Sequence, residues 1–151
     1  MDAVTYPKQS VVDFMAQNMV GLRVTFDTQP LARDFNLQWT PTLITLDPEG
    51  KEHHRTVGFL PPEEFVPSGW LGIAKFHFDA GRFQEAVAAL QRILEEHPGS
   101  DAAAEAIFLR GVALYKHTHE PRHLKEAYER LQREWPSSEW AKRAQPYRLI
   151  P

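Results

Sequence analysis

Trp39-Thr40-Pro41-Thr42-Leu43-Ile44-Thr45-Leu46-Asp47-Pro48-Glu49-Gly50 decides how this chain is read. Thr40 precedes a proline, and the ring pushes it out of the helical region. The run after Pro41 is β-branched and aliphatic, which suits a strand. Asp47-Pro48-Glu49-Gly50 reads as a tight turn: proline presets φ at the second place and glycine closes it. Lys51 to Phe59 then runs back antiparallel.

Upstream, residues 1–7 read as the end of a helix cut off by Pro7. Ser10 is expected to cap the next helix, with Asp13 three places on. Val11, Val12, Met15 and Met19 fall on one face of it, with Phe14 beside them. Val20, Leu22, Val24 and Phe26 then alternate with Gly21, Arg23 and Thr25, which predicts a strand with one buried face. Thr28 and Pro30 mark the start of a short helix carrying Leu31 and Phe35, and Asn36 suits its left-handed end. The order to residue 66 is helix, helix, strand, helix, strand, strand.

Trp39-Thr40-Pro41-Thr42, the aliphatic strand, Asp-Pro-x-Gly, a polar strand and Val57-Gly58-Phe59 resemble the C-terminal half of a thioredoxin-like domain. The resemblance implies a cis bond before Pro41, facing the family's Cys-x-x-Cys motif. This chain has no cysteine, so that motif is absent. It also implies that a central strand is missing between 20–26 and 42–47, and unpaired edges recruit partners. Four answers stand open: the two strands close up, a second copy exchanges a strand, another chain adds one, or the missing half lies upstream of Met1.

Pro61-Pro62-Glu63-Glu64-Phe65 looks like a helix start, and Pro67-Ser68-Gly69 is expected to interrupt it. The domain boundary is placed there, giving units 1–67 and 68–151. Beyond it the chain is helical, alanine-rich and repetitive. Trp70, Ile73, Ala74, Phe78, Gly81, Phe83, Ala86, Leu90, Ile93 and Pro98 resemble a tetratricopeptide repeat. Ala74 and Ala86 are small where two helices touch, Leu90 fills their seam, Gly81 ends the first helix and Pro98 stops the second. Gly111, Ala127 and Pro136 repeat these roles in a second unit. Trp140 to Tyr147 begins a capping helix. The fold class is therefore α+β, a partial thioredoxin-like sheet with helices followed by an all-α tetratricopeptide-like helical hairpin array.

Hydrophobic content is 42%, charged content 25% and the net charge −3. That balance argues against a nucleic-acid or anionic-membrane footprint, and no apolar run approaches membrane-spanning length. The N-terminus lacks the features of a secretory signal. The expected compartment is the cytoplasm. Zero cysteines exclude disulfides, thiolate metal sites and thiol nucleophiles in this chain.

The sharpest candidate site is Trp39, Thr40 and Pro41. The resemblance implies that backbone beside the proline pairs with an extended peptide; the other reading is a structural turn, with Trp39 facing a ligand or packed as core. His53 and His54 should point to opposite faces of a strand and read as solvated. His117, His119 and His123 crowd a loop in metal-ligand fashion, but no partner shell is evident. No cofactor is expected. The role that follows is a non-catalytic interaction or adaptor protein with a protein or peptide partner, or a homodimer through open sheet edges. The alternative is part of a thiol:disulfide oxidoreductase whose Cys-x-x-Cys lies upstream.

Overall fold

A computed structural model describes residues 1–151. The chain forms α1 (Gln9–Asn18), α2 (Leu31–Asp34), β1 (Thr42–Leu46), β2 (Glu52–Val57), α3 (Pro62–Asp79), α4 (Phe83–Glu96), α5 (Ala102–Thr118), α6 (Arg122–Glu134) and α7 (Glu139–Arg143), then a 3-10 turn at Gln145–Leu149.

β1 and β2 form a two-stranded antiparallel sheet. The Asp47 turn closes it as its residues demand. Gly50 sits at φ 85°, and Asp47 Oδ1 accepts from the amides of Glu49 (3.1 Å) and Lys51 (2.8 Å). Asn36 takes φ 47° at the end of α2.

α3 is the axle of the molecule. It packs on α1 and on both strands of the hairpin, which it meets as far as Asp79, and also on α4 and α5. The expected interruption at Pro67-Ser68-Gly69 is absent, and the helix runs through it. Close packing explains the composition. A Cβ on Gly69 would meet Phe14 Cε1 at 2.4 Å, and one on Gly72 would meet Thr45 Oγ1 at 2.4 Å. Glycine is present because α1 and β1 press on this face, and Phe65, Val66, Pro67 and Leu71 are buried around it.

From α3 onward each helix packs on the next. Ala74, Ala86, Leu90 and Ala127 are buried within this stack, and Trp70 packs against it half-buried. Gly81 ends α3 at φ 72°, and His119 takes the same left-handed role after α5 at φ 59°. Gly111 is buried where α5 crosses α6, since a Cβ there would lie 2.5 Å from Ala127 Cβ. Pro98 and Pro136 are exposed in turns, where they stop helices and do not pack. Ser138 caps α7, accepting from Ala141 N at 3.0 Å.

Several local expectations are corrected. Ser10 lies inside α1, whose first turn has no side-chain cap; Gln9 donates to Asp13 instead (2.7 Å). The buried face of α1 is Val11 and Phe14, while Val12 is exposed. Residues 1–7 form hydrogen-bonded turns and no helix, held by Thr5 Oγ1 donating to Leu60 O (2.7 Å). Thr28 does not cap α2 through its side chain, which meets Thr25 Oγ1. The largest correction is the strand expected at 20–26. The chain there has no strand structure, because no neighbour supplies the backbone pairing that a strand needs.

Candidate interaction site

The antiparallel ladder shows which groups of β1 are free. Gly58 N donates to Pro41 O at 2.8 Å, and Thr42 to Thr45 pair in order with Val57 to His54. Ladder bonds alternate, so Leu43 and Thr45 face β2 and Thr42 and Ile44 turn their N–H and C=O outward. No strand lies on that side.

Across from it lies the segment that the sequence reads as a strand. Val20 is 99% exposed and Leu22 80%. A cavity of about 180 Å³ opens between them and β1, with Met19, Val20 and Leu22 on one wall and Leu43 and Ile44 on the other, above Phe65. These walls are apolar, Thr42, Thr45, His54, Thr56 and Ser68 add polar groups to the lining, and outward-turned amides and carbonyls of β1 border the cavity.

The Thr40–Pro41 turn stands at the start of this edge. Its peptide bond is cis, as is that of Gln29–Pro30. Thr42 Oγ1 donates to Trp39 O (2.6 Å). Trp39 itself is 72% exposed, so the core reading of this side chain does not hold.

His53 and His54 are not solvated. The register passes from Thr45–His54 to Leu46–Glu52, which leaves His53 as the extra residue of a β-bulge. A bulge breaks strict alternation, so both histidines reach α3. His53 Nε2 lies 3.0 Å from Asp47 Oδ2 and Nδ1 lies 2.6 Å from Asp79 Oδ2. Two carboxylates facing both nitrogens call for the imidazolium, which donates from each. Burial opposes that charge, but the bonds to Asp47 and then Asp79 outweigh it and raise the pKa. His54 goes the other way. Its Nε2 meets Ser68 Oγ (3.1 Å) and its Nδ1 meets Lys75 Nζ (3.2 Å). Burial, followed by the Lys75 charge, pushes its pKa down to about 4. Lys75 also pairs with Glu105 at 2.6 Å. One polar chain thereby runs from the sheet through α3 to α5.

The loop histidines are not brought together. His117 Nε2 meets Gln84 Nε2 (2.8 Å), His123 turns toward Glu126, and no group of three ligating side chains forms in the chain. Sequence reasoning missed the His53 pairing and the Ser68–His54–Lys75 contact, since both depend on the bulge and on an unbroken α3.

Residues 4–68 match the family model of a thioredoxin-like domain, and residues 67–107 match that of a tetratricopeptide repeat. No curated protein and no solved structure matches the chain. The chain joins part of a thioredoxin-like domain, lacking a Cys-x-x-Cys motif, to a tetratricopeptide-like array. This combination supports a protein-interaction or adaptor role. No helix is long and apolar enough to cross a membrane.

Proposed function

We propose that this chain is a non-catalytic adaptor that takes an extended peptide segment of a protein partner along the free edge of β1. The observation that carries this reading is the pairing of outward-facing backbone groups at Thr42 and Ile44 with an apolar cavity between β1 and the Val20–Leu22 wall. Added strands gain affinity from main-chain hydrogen bonds and specificity from pockets for alternate side chains. Trp39, Thr40 and Pro41 border the entry to this edge and supply an aromatic face. The unit at 1–67 holds the peptide, and the repeats at 68–151 hold it in place through α3, which both share.

The test uses fluorescent nonapeptides that alternate apolar and polar residues, with amide exchange read on the full chain. Saturable binding that protects the Thr42 and Ile44 amides is expected. Protection confined to other residues, or no binding by any peptide up to millimolar concentration, refutes the reading.

A second reading has its own observation. Val20, Leu22, Val24 and Phe26 are exposed and alternate, so this segment of one copy suits the β1 edge of another. A homodimer in light scattering that dissociates on Val20→Ser with Leu22→Ser supports it; a monomer at tens of micromolar removes it.

A further inference from the structure

A second cavity, of about 310 Å³, opens between α5 and α6 and is unlike the first in chemistry. Its charged and polar lining is Arg110, His123, Arg130 and Arg133 together with the carboxylates Glu126 and Glu129. Arg110 is half-buried, and its Nε is shut off from solvent with no hydrogen-bond partner. His123 Nδ1 is in the same state. Five buried side-chain atoms in the chain lack a partner, and two of them belong to residues that line this one cavity.

No carboxylate is hydrogen-bonded to either atom, although Glu126 and Glu129 share the lining. Glu95 Oε1 accepts from Gln91 (2.8 Å), and Glu134 holds both Arg130 (3.0 Å) and Arg133 (3.1 Å). Glu126 Oε2 stands 3.5 Å from His123 Nδ1, outside hydrogen-bond geometry. A buried donor without an acceptor costs more than its hydrogen bond would return, and such groups in a native fold call for a partner. Burial and then the Arg130 charge lower the Arg110 pKa, and the charges of Glu126 and Glu95 offset this only in part.

We propose that the α5–α6 cavity is an oxyanion-binding site, in which the Arg110 guanidinium and the His123 imidazole turn to donate to the oxygens of a bound carboxylate or phosphate while Arg130 and Arg133 form a cationic rim. Charge-assisted bonds of this kind are short and strong, and guanidinium planes match oxyanion geometry. The floor is firm, since Gly111 lets α5 approach α6 closely. The site lies in the repeats, apart from the β1 edge, and so does not depend on the adaptor reading.

The experiment follows the Arg110 side-chain Nε–Hε signal by nitrogen-labelled magnetic resonance in the full chain at low salt. Sodium phosphate is titrated in one arm and an N-acetylated triaspartate peptide in another, with sodium chloride at matched ionic strength as control. A saturable Arg110 shift with phosphate assigns a free or esterified phosphate, and one with the peptide alone assigns a protein carboxylate. Arg110→Gln removes the reporter, so its affinity is read by calorimetry beside the unaltered chain, and it should bind roughly tenfold or more weakly, as loss of a charge-assisted pair implies. Arg133→Gln leaves the fold unaffected, because its side chain is 67% exposed; it should weaken binding about threefold through the rim charge. The proposal is overturned if chloride reproduces the shift, if neither anion saturates, or if Glu126→Gln alone moves the free-state Arg110 signal as far as an anion does.

Discussion

The two halves of this molecule are stabilised very differently. The helical array closes around a cluster of 15 buried residues, while the N-terminal unit rests on four, Val11, Phe14, Phe65 and Val66. Two of those four belong to α3, the helix both halves share. Ten of the eleven large exposed hydrophobics, from Val4 to Phe59, lie in the N-terminal unit; only Leu149 lies elsewhere. The lesson is that an apolar side chain is buried by neighbours and not by its own nature. Helices bond their backbones internally and can stack on whatever follows. A strand must find a second strand before its apolar face is of any use.

The sharpest way to break this comparison is to weaken each core in turn. Leu90→Ala empties a fully buried position in the larger cluster and should cost about 2–5 kcal/mol. Chemical denaturation followed by circular dichroism should show the helical transition moving. If the cost falls below about 1 kcal/mol, the array is not the stable half.

Acid should act next, through the polar chain joining the halves. The folded pKa of His54 lies near 4, below its ordinary 6.5, so the unfolded chain binds more protons between those values. Stability is therefore full above about pH 6.5 and falls as pH drops toward 4, by up to about 3 kcal/mol. His54→Gln should flatten that slope. A melting temperature that does not change across this range would show that His54 is solvated.

Gly111→Ala separates the halves by geometry. The added methyl would meet Ala127 Cβ at 2.5 Å and the His123 carbonyl oxygen at 2.9 Å, and overpacking there should cost about 1–3 kcal/mol. Exchange at the amides of α5 and α6 should quicken, with β1 and β2 unchanged. Equal loss throughout would mean that the halves unfold as one.

His53 gives the opposite sign to its neighbour. Its folded pKa is raised, so its contribution is complete below the unfolded value and is lost as pH rises through the folded one. Carbon-detected titration of the two rings should show them moving apart. A lowered value for His53 would remove the Asp47–His53–Asp79 bridge.

The smallest effect belongs to the open edge. Val20→Ser at a 99% exposed site should change stability by no more than about 0.5 kcal/mol while altering association. A large destabilisation would place Val20 in a core.

Much of the array could be read from the chain. Ala86 and Leu90 stand i, i+4 on α4, with Ala74 on α3 and Ala127 on α6 at the repeat position of Ala86, and helical spacing reports burial directly because the backbone needs no outside partner. The hairpin turn was equally legible, since Asp47 and Gly50 carry local chemistry. The segment at 20–26 misled because alternation records what a strand would bury and not whether a partner is present. Pro67-Ser68-Gly69 misled for the reverse reason. Residues that break an isolated helix were kept helical by Phe14 and Thr45 pressing on α3. At the candidate site, Thr40 and Pro41 could be singled out from sequence, but the exposure of Trp39 could not. The Arg110 cavity had no sequence signal, since its residues come from two helices with ordinary charged faces.

The sequence by itself determined the helix periods, the Asp47 turn, the absence of thiol chemistry and the order of the two units. These depend on local backbone preference and on residue identity. Only the tertiary structure decided which edge of β1 stays open, where His53 and His54 point, that α3 serves both halves, and that Arg110 and His123, each with an unpartnered nitrogen, line one cavity between α5 and α6. Each of those depends on atoms far apart in the chain, and there packing and backbone pairing outweigh local preference.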